Sequence, residues 1–223
     1  VHFHGSTRDG KPNTYVVTVL KGPFVQYLQP APATARLLIA AFVLSFCAGP
    51  VFAATVHIVA FGDSATAGYL VPRNQAYPAQ LQAALRRKGY DAVVNNAGIN
   101  GDTTAGALAR LDAAIDPGTD IAIVEFGTND LRRGSSLADI RTRLTRLVGA
   151  LRARGIQVLL VGLGGLDLSS VAGATGALYV QWSLPRGKYR AGDGQHFNGE
   201  GYAILVARML PQIEILMKRT KPK

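Results

Sequence analysis

From Ala54 onward, apolar residues fall into short unbroken runs separated by stretches in which they recur every three or four positions. The runs read as strands and the spaced stretches as helices. Strands are predicted at residues 56–61, 91–95, 121–126 and 156–161, with a short fifth at 177–180. Helices are predicted over 78–88, ended by Gly89, and over 103–115, closed by Asp116-Pro117-Gly118. Ser136 is placed to cap a long helix reaching Arg154, where Gly155 stops it. Asn198 opens a terminal helix that Pro211 is expected to kink or break. Strands apolar on both faces, alternating with helices, are the signature of βαβ units. The predicted fold class is therefore α/β, a three-layer sandwich around a central, mostly parallel five-stranded sheet.

Charge changes the picture less than its size suggests. The chain has 223 residues, 24 Lys+Arg against 14 Asp+Glu, and a formal charge of +10. On the 136–154 helix, Leu137, Ile140, Leu144, Leu147, Val148 and Leu151 share one arc, and Arg141, Arg143, Arg146, Arg152 and Arg154 lie outside it. This is a core-facing helix with a solvated cationic face. No aromatic residues interleave the arginines, so nucleic acid is not expected as a partner. Weak attraction to an anionic membrane surface stays open.

Ahead of Ala54 the pattern is different. Arg36 precedes twelve residues, Leu37 to Ala48, that are almost wholly apolar, followed by Gly49-Pro50-Val51-Phe52-Ala53. As a helix that run rises about 18 Å, short of a bilayer core of roughly 30 Å. Residues 34–53 are accordingly expected to be a secretory signal cleaved after Ala53, giving a periplasmic or secreted product. The sequence opens with Val1 and has no methionine before Met209, so residues 1–33 are expected to be an over-extended leader. The start would then lie between Val16 and Val25; a genuine extra N-terminal segment is the alternative. Without residues 1–53 the charge falls to +7, with 20 Lys+Arg against 13 Asp+Glu, and the only cysteine, Cys47, is gone. Residues 54–223 then hold no disulfide, thiolate nucleophile or cysteine metal site. A lipid anchor on Cys47 fits poorly, because bulky Phe46 stands where such signals want a small residue.

In an open α/β sheet, ligands bind outside the carboxyl ends of the strands, so the residues that follow each strand are the candidate site. They are Gly62-Asp63-Ser64, then Asn100-Gly101-Asp102-Thr103, then Gly127-Thr128-Asn129-Asp130, and late in the chain Asp193-Gly194-Gln195-His196. These supply a hydroxyl, Gly-rich turns, a side-chain amide, and a carboxylate three residues before an imidazole. A serine hydroxyl becomes a nucleophile only with a base of pKa near neutrality, and imidazole is the usual one. Of four histidines, His2 and His4 fall in the doubtful leader and His57 lies inside a strand, which leaves His196. Taken alone, Asp193-Gly194 is an ordinary turn. There is no Gly-x-Ser-x-Gly elbow and no P-loop, and Gly162-Leu163-Gly164-Gly165 lacks the full dinucleotide spacing. No metal-ligand spacing occurs and no cofactor is expected.

In order and spacing the four blocks resemble those of the SGNH (GDSL) hydrolases, nearest to the periplasmic thioesterase I, lysophospholipase L1 and arylesterase branch. The resemblance covers residues 56–210 and implies a flavodoxin-like sheet. It implies that Ser64 is the nucleophile, His196 the base and Asp193 its orienting carboxylate. It further implies an oxyanion hole built from the backbone N–H groups of Ser64 and Gly101 and the amide of Asn129. Asp63 and Asp130 would tie down their turns.

Two departures qualify what the resemblance implies. Ala65 replaces the usual Leu after Gly-Asp-Ser, and the stretch 163–192 is shorter than in related thioesterases and shows no clear helix. That stretch is expected to form a shallow groove lined by Trp182 and Leu184, unless those residues pack into the core. The expected activity is an exported serine esterase acting on small acyl esters or thioesters through an acyl-serine intermediate. A carbohydrate O-acetylesterase, or a binding protein that kept the fold, are the competing readings, and the sequence says nothing of oligomeric state.

Overall fold

The computed structural model describes residues 2–6, 12–16, 54–183 and 187–220. The chain divides into two units, Val1–Phe52 and Ala53–Lys223. In the first, His2–Ser6 and Pro12–Val16 pair as antiparallel strands. The predicted signal at 34–53 lies outside the described residues.

The second unit is a five-stranded sheet of β1 (Val56–Gly62), β2 (Ala92–Gly98), β3 (Ile121–Glu125), β4 (Gln157–Leu163) and β5 (Leu178–Trp182). Every pairing is parallel, and the order is β2-β1-β3-β4-β5. The sheet is thus wholly parallel, with its switch point between β1 and β3. Alternation along each strand assigns the faces. Ile58, Ala60, Ile121, Ile123, Leu159 and Val161 join one core cluster, and Val59, Phe61, Ala122, Val124, Val158 and Leu160 join the other. On the first face pack α2 (Tyr77–Arg87) and the terminal helix α8 (Gly199–Arg219), through Leu81, Leu85, Tyr202, Met209 and Ile213. On the second packs α6 (Leu137–Ala153), through Ile140, Leu144, Leu147, Val148 and Leu151. Ser136 caps that helix, accepting from the Asp139 N–H, as its position predicts. Leu137, placed on the same arc, is instead 37% exposed at the helix start.

Four expectations need correcting. The helix expected over 103–115 is two short ones, α3 (Thr104–Ala109) and α4 (Leu111–Ala114), broken at Arg110. The stretch after β4 does contain a helix, α7 (Ser169–Thr175), which buries Val171 and Ala172. Seven residues with a glycine among them carry little helical signal of their own, so packing supplies the stability. Strand β2 runs on to Gly98, past the expected end at Asn95. Helix α8 continues through Pro211, so of the expected kink or break the break does not occur. Both Pro211 and Ala207, whose carbonyl loses its helical donor, are exposed to solvent, where the loss costs least.

Candidate active site

The carboxyl ends of β1 and β3 converge on one serine. Strand register sets Gly62 beside Gly98 on one side and Glu125 on the other. The chain then turns at Asp63 into the one-turn helix α1 (Ser64–Ala67), and the Asp63 carboxylate accepts from the Ala65 N–H at 2.9 Å. This turn fits only because residue 62 has no side chain: a Cβ there would lie 1.9 Å from Thr66 Oγ1 and 2.8 Å from the Glu125 carbonyl. Ser64 is left half-buried at the cleft floor, beside fully packed neighbours.

His196 reaches it from 132 residues away in sequence. The Ser64 hydroxyl stands 2.9 Å from His196 Nε2, and His196 Nδ1 lies 2.5 Å from Asp193 Oδ2. Asp193 holds this loop as well as the ring: its Oδ1 accepts from the backbone N–H groups of Gln195 and His196, both at 3.0 Å. The His196 ring donation and those two N–H groups hold the Asp193 carboxyl down to about 2, so it is ionised at neutral pH. An ionised acceptor at Nδ1 keeps the proton there and leaves Nε2 to receive the serine proton. The loop is pinned at both sides, by the Ala191 N–H to the His196 carbonyl at 2.8 Å and by the Arg190–Phe197 bridge. Tyr69 meets the imidazole edge-on, ring centroids 4.9 Å apart.

The remaining predicted residues are also gathered here. Asn129 sits in α5 (Thr128–Arg132), buried, and its amide donates to Asp63 Oδ2 and to the Asp102 carbonyl, each at 2.9 Å. It ties the Gly62-Asp63-Ser64 turn to the Gly101-Asp102 turn, and both its protons are engaged. Gly101 adopts φ +75°, which explains its glycine better than crowding does, since the only atom near a Cβ would be Arg133 Nη2 at 3.8 Å. The backbone N–H groups of Ser64 and Gly101 have no hydrogen-bond partner among the described residues. Asp130 is a turn fastener, accepting from the Thr104 N–H and hydroxyl. His57 is exposed on β1, away from the site, its N–H bonded to Asp120. No metal-holding group of residues occurs among the described residues.

Trp182 is wholly buried, its ring centroid 3.7 Å from that of Phe197, and it belongs to the core while also flooring the cleft. Leu184 lies outside the described residues. The cleft itself measures about 450 Å³ and is bounded by Ala65, Leu163, Phe197, Arg132, Arg190 and Gln195 among others.

Two supporting groups escape a reading of the sequence. Glu125, only 2% exposed, sits at the end of β3 and accepts from the Thr66 hydroxyl at 3.0 Å. Burial first, then the neighbouring Asp63 charge, push its carboxyl well above the usual range, so it is the neutral member of that pair. Burial also raises Asp63, but three donors, from Ala65, Thr128 and Asn129, favour its ionised form. Arg110 lies over the Phe61 ring and bonds Asp102 Oδ2, the Ala97 carbonyl and the Gly62 carbonyl. One side chain thereby joins the ends of β1 and β2 to the Gly101-Asp102 turn. A lone acid in an otherwise apolar strand at the switch point was the available signal for Glu125; nothing in the residue pattern marks Arg110.

The model of the GDSL-like Lipase/Acylhydrolase family matches residues 60–182. The chain is 35% identical over 127 residues to an arylesterase of Vibrio mimicus, covering 56% of this chain and 62% of that protein. It is 38% identical over 112 residues to the esterase TesA of Pseudomonas aeruginosa, covering 50% of this chain and 56% of that one. It therefore spans somewhat over half the length of these curated relatives. Among solved structures, a TesA crystal structure superposes with a TM-score of 0.63 at 28% identity, covering 72% of this chain and 99% of that one. The lipase/acylhydrolase from Enterococcus faecalis gives 0.63 at 26% identity, covering 75% and 98%. The family match ends at residue 182, so Asp193 and His196 are joined to it by the geometry alone. Fold, motif order and matched length agree: the chain belongs to the GDSL-like lipase/acylhydrolase family.

Proposed function

We propose that the protein is a serine esterase that hydrolyses acyl esters or thioesters through an acyl-serine intermediate. The observation that carries this reading is the continuous contact Ser64 Oγ, His196 Nε2, His196 Nδ1, Asp193 at the sheet's switch point. In the proposed reaction Ser64 attacks the acyl carbonyl as His196 takes its proton, and His196 then gives that proton to the leaving alcohol or thiol. Water repeats the cycle on the acyl-serine. Asp193 keeps the ring oriented and favours its charged form.

The oxyanion is assigned to the unpartnered N–H groups of Ser64 and Gly101, with Asn129 joining by sharing the proton it gives to the Asp102 carbonyl. A positioned donor of this kind is worth about 2.7–4 kcal/mol of barrier in serine hydrolases. The names of the relatives support ester and thioester substrates: an arylesterase, and a thioesterase 1/protease 1/lysophospholipase L1 of Escherichia coli, 33% identical over 110 residues. The apolar run 37–48 with small residues after it supports the reading of an exported protein with a cleaved signal, periplasmic or secreted. Turnover of a short-chain p-nitrophenyl ester by purified protein tests the reading. Ser64→Ala should lower kcat by about 10⁴-fold or more, and equal rates with and without the hydroxyl would refute it.

A further inference from the structure

Beside the nucleophile the cleft carries a cationic arm that the esterase reaction does not use. Arg132, at the end of α5, donates from Nη2 to Gln195 Oε1 at 2.8 Å. Among the described residues this neutral amide is its sole hydrogen-bond partner, and no carboxylate neutralises it. Arg190 approaches the same residue from the other side, donating from Nη1 to the Gln195 carbonyl at 2.7 Å, with its guanidinium 4.2 Å from the Phe197 ring centre. Gln195 immediately precedes His196, whose Nε2 is 2.9 Å from Ser64 Oγ. Both arginines border the cleft that holds Ser64.

Among the described residues the one carboxylate bordering that cleft is Asp63, which is 1% exposed and already accepts from Ala65, Thr128 and Asn129. Arg132, held by a neutral amide and by no carboxylate among the described residues, puts a positive charge at the mouth. The remaining N–H groups of Arg132 form the planar fork that matches a carboxylate or phosphate. A purely neutral alkyl ester would leave that fork to water and gain nothing from it.

We infer that the cleft selects esters bearing an anionic group, a carboxylate or a phosphate close to the scissile bond, with Arg132 as its receptor and Gln195 as the brace. The inference rests on the esterase reading. The anionic group sits on either the acyl or the alcohol part, and two substrate pairs distinguish these. For the acyl side, p-nitrophenyl hydrogen glutarate is compared with p-nitrophenyl pentanoate. For the alcohol side, butyryl glycerol phosphate is compared with monobutyrin. At low ionic strength, at least one charged member should exceed its neutral counterpart by about ten-fold in kcat/KM, chiefly through KM. The ratio should fall toward one with added salt and in Arg132→Gln, and survive in Arg132→Lys. If Arg132 serves only to latch the 193–196 loop, its loss lowers charged and neutral substrates alike. Ratios near one in both pairs, or a ratio indifferent to Arg132→Gln, would overturn the inference. Should none of the four esters be hydrolysed, the esterase reading has failed by itself. The receptor is then judged by calorimetry of glutarate on the Ser64→Ala protein. Saturable binding that Arg132→Gln removes upholds it, and no binding overturns it.

Discussion

Asp193 holds the base through three contacts at once, two to backbone N–H groups and one to the imidazole. Asparagine in its place keeps one acceptor oxygen and loses the charge, so the loop can persist while the ring loses its tautomeric preference. Asp193→Asn should therefore lower kcat by about 10⁴-fold with an unchanged circular dichroism spectrum. The contact of Ser64, His196 and Asp193 could be anticipated because the proposed chemistry restricts residue type: a hydrolytic serine needs an imidazole, and His196 was the candidate left. Glu125 was not legible for the opposite reason. Its role comes from being buried against Asp63 and Thr66, and burial is a property of the assembled sheet. Gln195 was visible inside its block without a role, because its partner Arg132 lies 63 positions away.

At the level of elements, the turns after β1, β2 and β3 hold one another. Asn129 joins two of them, and Arg110 joins the Gly101-Asp102 turn to the ends of β1 and β2. Arg110 and Asp102 form a mostly buried ion pair, N···O 2.8 Å, so Arg110→Met strands the Asp102 carboxylate. The expected cost is about 3 kcal/mol, read from urea unfolding, with ester turnover falling as the Gly101 turn loosens. An unchanged midpoint would show that the turn does not depend on Arg110. The same contact explains why one predicted helix is two: the chain departs from helical geometry at Arg110, φ −108° and ψ 11°, where its side chain reaches back to the turn. Strand periodicity survived translation into structure because both faces of each central strand are covered. α7 did not announce itself, because Val171 and Ala172 acquire their meaning only against the other core face.

Across the whole molecule, the same groups give stability a pH dependence of opposite sign on the two limbs. Glu125 holds its proton more tightly folded than unfolded. Its contribution is complete below the unfolded carboxyl value of about 4.3 and is lost as pH rises through the folded value. Asp193, held down to about 2, contributes above the unfolded value of about 3.9, and that contribution is lost as pH falls through about 2. Glu125→Gln removes the first effect and keeps the shape. The melting temperature of Glu125→Gln relative to the parent should therefore rise as pH climbs above the unfolded carboxyl value of about 4.3 toward the folded one; a constant difference would mean that Glu125 is ionised in the folded protein.

If His196 and Asp193 make Ser64 nucleophilic, a phosphonate ester offered in place of substrate should be captured by that hydroxyl. Intact-mass measurement followed by peptide mapping should find one equivalent of phosphonate on Ser64, with labelling abolished by Ser64→Ala and strongly slowed by His196→Ala. A protein that hydrolyses esters yet stays unlabelled, or carries the label on another residue, would contradict the account.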